Sequence, residues 1–328
     1  NNQATQTTEH RHWDKGATER ITRLRNQYWA NQPEIDVERA VIYTRVYQQS
    51  ASDEPAIRHA KALLAYMSEK TLTIGKDELI IGTEGRKSRS AVICPEICCR
   101  WAEEELDTMS TRPQDPYQIS EESKRLLKDV VFPYWRGRSM EDYFLDNMSD
   151  SLKNIGMGTN IVFSDAKSAT GGGEWSVGYH NIVMKKGFKG VRQEAEAHLA
   201  ALNLSDAAAW DQATFYKAVI LTCEACRVMC QRYADYARQL AAAESDPARK
   251  GELLQIAENC RAPYEAPKNF REAVQSVWFT QMMIWADENQ QACCIGRPDQ
   301  YLYPFYKADM ERGAITKLQA QELLECLW

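Results

Sequence analysis

Residues 218–233 read AVILTCEACRVMCQRY, and the spacing within this run decides how most of the chain is interpreted. Its cysteines, Cys223, Cys226 and Cys230, recur at three- and four-residue intervals, which places them on one face of an α-helix. Thiolates at such spacing can also ligate zinc or an iron–sulfur cluster. In a straight helix, however, the thiols spread over about 10 Å, too far for one tetrahedral site. We therefore predict a buried helix that binds no metal.

The same helical periodicity continues on both sides of this run. Side chains such as Asp36 and Asp246 stand where helix caps are expected. Two segments interrupt the pattern: Glu78–Thr83, typical of a short buried strand, and the glycine-rich Met157–Gly173. Without a repeat or a linker, we expect one continuous unit over residues 1–328, mainly α-helical with a few strands. The predicted helices are 17–30, 36–49, 55–70, 98–108, 121–130, 188–202, 206–244, 247–260, 269–287 and 316–328.

Composition and charge narrow the functional classes. The net charge of −6 and the scattered basic residues argue against a nucleic-acid partner. No apolar run approaches the ~20 residues that cross a bilayer, and the first twenty residues lack the apolar core of a secretory signal. We therefore expect a cytoplasmic protein with no membrane contact. Its ten cysteines are then expected to be free thiols in a reducing compartment, which fits an anaerobic cytosol.

Three further groups are candidates for chemistry. The pair Cys98-Cys99 stands at a predicted helix start, where the helix dipole can lower the pKa of a thiol. The pair Cys293-Cys294 lies in a loop with glycine and glutamine, which suggests a substrate pocket. His180 follows the glycine-rich stretch and is the histidine most compatible with a site. For all three groups, ordinary packing is the alternative interpretation.

The last residues, TKLQAQELLECLW, predict an amphipathic helix capped by Thr316. Leu323, Leu324 and Leu327 form its apolar stripe, which we expect to face a partner outside this chain. The abrupt end at Trp328 suggests a truncated sequence. The stripe also supports an alternative function, that of a non-enzymatic helical scaffold or partner-binding protein.

Four segments together resemble the pyruvate formate-lyase-like glycyl radical enzymes, in the branch of dehydratases, decarboxylases and related carbon–heteroatom lyases. They are DELIIGTEGRKSRSAVICPE at Asp77–Glu96, RWAEEELDTMSTRP at Arg100–Pro113, PYWRGRSMEDY at Pro133–Tyr143 and IGRPDQYLYPFYKADMERG at Ile295–Gly313. Each motif alone is moderately specific. Their occurrence in the family's order, over nearly the whole chain, makes the resemblance strong.

The resemblance implies an α/β fold, the N-terminal part of a ten-stranded barrel. In this family a glycyl radical near the C-terminus oxidises a cysteine at the barrel centre, and the thiyl radical then abstracts a substrate hydrogen. Neither the Gly-Cys-Val-Glu nor the Arg-Val-x-Gly-Tyr type of sequence occurs here, so both catalytic residues are expected beyond the chain end. The 328 residues would be the N-terminal portion of a pyruvate formate-lyase-type domain and inactive alone.

For the whole protein, the resemblance implies radical cleavage or formation of a C–C or C–heteroatom bond in a small organic substrate. It also implies activation by a radical-SAM enzyme and a homodimer. The cofactor would be the protein radical itself, with none bound to this part of the chain.

Two positions in related enzymes carry polar groups that face the substrate. Alignment back from Lys186-Gly187-Phe188 places Trp175, with Glu174 beside it, where the diol dehydratases have a histidine. The second position usually reads Asn-Gly-His-Ser before Gly-Arg, and this sequence departs from that pattern. Its substrate-binding candidates are Asn289, Gln290, Gln291, Cys293 and Cys294. We expect the two segments to meet and to border one pocket.

These departures bear on the substrate, because a hydroxyl group in a dry site needs hydrogen-bonding partners. Tryptophan supplies a flat apolar wall and a single N–H donor. The resemblance therefore disfavours glycerol or propanediol dehydration. Arylacetate decarboxylation, cleavage of a quaternary amine and radical addition to fumarate all tolerate an aromatic wall better, and the sequence does not choose among them.

Overall fold

The computed structural model describes residues 18–151, 153, 175–288 and 293–328, with the backbone alone described at 175, 176 and 288. Helices dominate it, and none of those described combines the length and apolar character that a bilayer crossing requires. They are α1 (Glu19–Ala30), α2 (Glu38–Gln49), α3 (Pro55–Glu69), α4 (Arg100–Glu104), α5 (Glu121–Leu126), α6 (Phe132–Trp135), α7 (Met140–Asp146), α8 (Gly187–Ala201), α9 (Ala209–Ala243), α10 (Pro247–Asn259), α11 (Ala262–Glu265), α12 (Phe270–Glu288), α13 (Pro298–Glu311) and α14 (Lys317–Leu327).

Short 3₁₀ or π-helical segments lie at Met109–Thr111, Leu127–Val131 and Tyr179–Val183. The described residues also form four short strands: β1 (Glu34–Asp36), β2 (Ser90–Val92), β3 (Trp175–Ser176) and β4 (Cys293–Cys294). β1 pairs with β2 and β3 with β4, both in parallel. Parallel pairs joined through helices are typical of α/β folds. The mainly helical prediction is confirmed for the described residues, whereas the ten-stranded barrel stays a prediction.

Helix α9 has the buried cysteine face that the sequence predicted. It packs against α3, α8 and α10, and Cys226 and Cys230 lie in the largest cluster of buried side chains. Their Sγ atoms are 3.9 Å apart. Burial raises the pKa of Cys223 to about 12 and that of Cys226 well above its ordinary value. The Cys223 and Cys226 thiols are therefore protonated at neutral pH and act as small apolar groups in the core.

Helix α12 lies between two clusters of buried side chains. Phe279 and Met282 pack with α2, α3, α9 and α10. Val274 and Val277 pack with α13 and α14. Burying a side chain of this size contributes about 1.5–3 kcal/mol to the stability of the fold. Because α12 has buried side chains in both clusters, it joins them into one core.

The predicted strand at Glu78–Thr83 is wrong, although the segment is buried. Gln275 of α12 accepts the Ile81 backbone N–H at 3.0 Å and donates to its carbonyl at 2.9 Å. The Trp278 indole N–H donates to the Gly82 carbonyl at 2.8 Å. Because side chains satisfy these backbone groups, the segment is buried without pairing as a β-strand. The strand of this region is β2, seven residues further along the chain, which pairs with the unpredicted β1.

The C-terminal helix α14 begins as predicted and packs differently. Thr316 and Gln319 form a reciprocal capping box at its start. Leu323 is only 1% exposed and belongs to the cluster with α12 and α13, and Leu324 and Leu327 pack against that cluster. The expectation that this stripe awaits a partner outside the chain is therefore wrong. The alternative function, that of a non-enzymatic scaffold or partner-binding protein, therefore loses the exposed leucine stripe that supported it.

Gly187, where α8 begins, allows close approach of two chain segments. Its φ is +59°, and a Cβ there would lie 2.5 Å from the Tyr264 carbonyl oxygen and 2.6 Å from the Ala266 nitrogen. Gly251, inside α10, has a helical backbone and nothing within 4 Å of a built Cβ. The two positions therefore differ in whether they need glycine.

We expect Gly187→Ala to lower the free energy of unfolding by about 2 kcal/mol or more, through the left-handed backbone and the clash. Gly251→Ala is the matched control, and we expect it to raise stability by about 0.5–1 kcal/mol. Denaturant unfolding followed by circular dichroism measures both. A Gly187→Ala protein as stable as the wild type would contradict the packing described at this junction.

Candidate functional site

The pairing of β3 with β4 brings together two segments that lie more than a hundred residues apart. Trp175 is paired with Cys293 and Ser176 with Cys294. The two segments singled out from the sequence therefore meet through their backbones. Cys293 is half-buried and Cys294 is exposed. Glu174, Asn289, Gln290 and Gln291 lie outside the described residues, and the substrate-binding role of the whole set stays a prediction.

Gln281 connects α12 to this pair of strands. Its side chain is buried, and its amide nitrogen donates to the Cys293 carbonyl at 3.1 Å. Its amide oxygen accepts a hydrogen bond of 2.8 Å from the Tyr179 hydroxyl. Burial, with smaller contributions from Cys293 and Tyr301, raises the pKa of Tyr179 well above its ordinary value. Because the Cys293 carbonyl can only accept, the amide nitrogen of Gln281 must face it, and the amide oxygen is left to accept from the neutral Tyr179 hydroxyl.

The Gly-Arg-Pro-Asp-Gln-Tyr motif at residues 296–301 follows β4 and contacts both β4 and Tyr179. Tyr301 stacks on Tyr179 with ring centres 5.5 Å apart, and its hydroxyl donates to the Ile295 carbonyl at 2.9 Å. Gly296 turns the chain with a φ of +71°, and its N–H lies 3.3 Å from the Cys294 sulfur as donor. The motif therefore supplies both the turn that ends β4 and a ring that supports Tyr179.

The end of α12 is held by a buried arginine that the sequence reasoning missed. Arg39 of α2 donates to the carbonyls of Ala286 and Asp287 at 2.5 and 2.9 Å. It also forms a bidentate pair with Glu96, and its guanidinium lies 3.6 Å from the centre of the Tyr43 ring. The last carbonyls of a helix lack partners within the helix, and Arg39 supplies them. The available signal was an arginine inside the apolar pattern of residues 37–46.

A second contact at this helix end involves His59 of α3. Its Nε2 lies 2.8 Å from an Asp287 carboxylate oxygen, and its Nδ1 lies 3.0 Å from the Tyr47 hydroxyl. Burial alone would lower the pKa of His59, but the hydrogen bond and charge of Asp287 raise it above its ordinary value. The imidazole of α3 thus connects Tyr47 of α2 to Asp287 near the end of α12.

Two other candidates from the sequence are Cys98-Cys99 and His180. Cys98 and Cys99 stand before α4, but burial and the nearby carboxylates of Glu141 and Asp142 raise their pKa values to about 11 and about 12 respectively. The expectation of a lowered thiol pKa is therefore wrong, because burial outweighs the dipole of a five-residue helix. His180 is exposed on the helical turn after β3.

Comparison with known proteins places this geometry in a family. The profile of the pyruvate formate lyase-like family matches residues 13–328. The chain therefore belongs to this family of glycyl radical enzymes.

Three relatives illustrate the similarity. Trans-4-hydroxy-L-proline dehydratase of Clostridioides difficile is 34% identical over 321 residues, 96% of this chain and 40% of that protein. Isethionate sulfite-lyase of Desulfovibrio desulfuricans is 33% identical over 94% of this chain and 38% of that protein. The glycerol-bound B12-independent glycerol dehydratase of Clostridium butyricum superposes with a TM-score of 0.89 at 34% identity, covering 96% of this chain and 39% of that one. The chain thus spans about 40% of the first relative's length.

Thiol labelling tests where the cysteines lie. At pH 8 under anaerobic conditions, we expect iodoacetamide to modify the exposed Cys294 at least tenfold faster than Cys98. With a pKa of about 11, Cys98 is thiolate in only about one molecule in a thousand at that pH. Mass spectrometry of quenched peptides gives the rates, and labelling of the unfolded protein is the control. Equal native rates would contradict the burial of Cys98.

Proposed function

We propose that this chain forms part of the substrate site of a glycyl radical lyase. The whole enzyme would cleave or form a C–C or C–heteroatom bond in a small organic molecule. The observation that carries the proposal is the parallel pairing of Trp175 with Cys293. It joins the two segments in which the chain departs from the diol-dehydratase pattern. The relatives support the reaction class, since they are named as dehydratases and a sulfite-lyase.

The residue types at the paired positions favour a substrate that is not a vicinal diol. A site that binds hydroxyl groups must satisfy each of them once water is excluded, or it loses affinity. Tryptophan has one donor, and cysteine is a weak donor and acceptor. An arylacetate or an aromatic fumarate adduct can pack its ring against an aromatic wall, and a quaternary amine is attracted to that wall by cation–π interaction.

The rest of the protein would supply the thiyl cysteine and the radical glycine. We further propose that a radical-SAM enzyme installs the radical, that the full-length protein is a homodimer, and that it works in an anaerobic cytoplasm. The described part then contributes shape and polarity to the site, and the hydrogen abstraction is performed by groups outside it.

The full-length protein, activated without oxygen by its radical-SAM enzyme, tests the proposal. Electron paramagnetic resonance should show a glycyl radical, and a panel of isethionate, hydroxyproline, glycerol, an arylacetate and a quaternary ammonium alcohol should be assayed for products. We expect the radical to form and glycerol to be turned over slowly or not at all. Absence of the radical would contradict the enzyme class, and glycerol as the best substrate would contradict the substrate class.

Within that panel, Trp175→His should shift the ratio of kcat/KM for glycerol to that for the preferred substrate by tenfold or more, because histidine adds a hydrogen-bonding group. We expect the melting temperature to change little. Trp29→His is the matched control, since Trp29 is 65% exposed on α1. An unchanged ratio in Trp175→His, or an equal change in Trp29→His, would contradict a role for residue 175 in the site.

A further inference from the structure

We propose that Gln281 and Tyr179 are positioning residues that set where β4 lies against β3, and so the shape of the substrate site. The inference rests on the proposed function for the meaning of that site. The contacts that carry it are those of the Gln281 amide, which donates to the Cys293 carbonyl and accepts from the Tyr179 hydroxyl.

The position of Gln281 explains why a polar side chain is kept there. It is only 3% exposed, in a helix whose neighbouring residues Phe279 and Met282 are fully buried. A buried amide without partners costs about 1–3 kcal/mol, so both of its ends must be engaged. Here one end is engaged by Tyr179 and the other by the backbone of β4. The amide therefore links α12, the turn after β3, and β4 in one connected set of hydrogen bonds.

The contact is with a backbone carbonyl, which has a consequence for specificity. A hydrogen bond to the Cys293 carbonyl does not depend on which side chain occupies position 293. The scaffold can therefore hold β4 in place while residues 293 and 294 differ between enzymes. The residues that hold β4 in position, Gln281 and Tyr179, are therefore different from the residues at 293 and 294 that would select the substrate.

Tyr179 contributes orientation. Its ring stacks on that of Tyr301, and its hydroxyl also approaches the Val277 carbonyl at 3.4 Å. Since Tyr301 binds the Ile295 carbonyl, the two stacked rings also connect the residue that follows β4 to the segment that follows β3. Removing the Tyr179 hydroxyl would free the amide of Gln281 to rotate while leaving the stacked rings.

Helix α12 offers a matched control. Gln275 is also buried and also binds backbone groups, but its partner is Ile81. Six residues separate the two glutamines, which is about 240° around the helix. Both side chains thus hydrogen-bond the backbone of a neighbouring segment. Of the two, Gln281 is the one bonded to β4.

The test compares Gln281→Met with Gln275→Met in the activated full-length enzyme, using the panel substrate that the wild type turns over fastest. Both variants keep side-chain length and lose the amide, so both should lower the melting temperature. At a temperature well below both transitions, and normalised to radical content, we expect Gln281→Met to lose tenfold or more in kcat/KM, with part of the loss in kcat. Gln275→Met should stay within threefold. Misplacing groups by about 1 Å can cost up to a hundredfold.

Tyr179→Phe is the milder variant if Gln281→Met fails to fold. It should change kcat/KM in the same direction and by a smaller factor. The double variant should be no worse than Gln281→Met alone, because the two residues act through one hydrogen bond. Additive losses, or equal losses in Gln281→Met and Gln275→Met, would overturn the proposal.

Hydrogen exchange provides a readout that does not need turnover. Deuterium uptake by peptides covering residues 293–296 should rise in Gln281→Met, and uptake around residue 81 should rise in Gln275→Met. If these shifts occur while the wild type forms its radical and turns over no substrate of the panel, the proposed function fails and the positioning of β4 stands. If uptake at 293–296 is unchanged in Gln281→Met, the positioning role fails even for an active enzyme.

Discussion

Backbone groups that helices and strand pairing leave without a partner must find other hydrogen bonds, and in this protein side chains of α12 supply several of them. An N–H or carbonyl left without a partner in a core costs about as much as a lost hydrogen bond. Gln275 binds the backbone N–H and carbonyl of Ile81, and Trp278 donates to the carbonyl of Gly82. Gln281 satisfies Cys293. The helix that joins the two hydrophobic clusters thus also holds the irregular segments around it.

The C-terminal end of α12 depends on the buried side chain of Arg39. Arg39 is fully buried and is stabilised by Glu96, the Tyr43 ring and two helix carbonyls. Breaking a buried ion pair by removing one partner typically costs about 3–5 kcal/mol, because the other charge is left uncompensated. The Pro-Glu at the end of the first family motif therefore has a structural explanation: Glu96 neutralises the arginine that ends α12.

Much of the helical architecture could be predicted from the sequence, because periodicity and caps are local. Asp246 and Thr316 cap their helices as expected. The expected cap at Asp36 is wrong in its position, because Asp36 ends β1 and α2 begins after Val37, which makes no side-chain cap hydrogen bond. The predicted strand at residues 78–83 failed, since an apolar β-prone segment reads the same whether strands or side chains satisfy its backbone. The leucine stripe of α14 failed differently: its amphipathic pattern was correct, but a pattern does not identify which surface covers it.

The meeting of Trp175 with Cys293 could be expected from the family resemblance alone, because no local pattern links segments so far apart. Gln281 was missed, although its signal was present as a glutamine within the apolar run VWFTQMMIW. The role of a buried polar residue such as Gln281 can be assigned only when its hydrogen-bonding partners are known. Together, the contacts describe a scaffold that places the β3–β4 pair.

The most direct measurement of the central claim is a structure of the full-length enzyme with its substrate bound. The account predicts substrate atoms within about 4.5 Å of residue 175 or of residues 293–294, with the Gln281 amide still bound to the Cys293 carbonyl. A substrate bound elsewhere, with the β3–β4 pair on the outer surface of the enzyme, would contradict it.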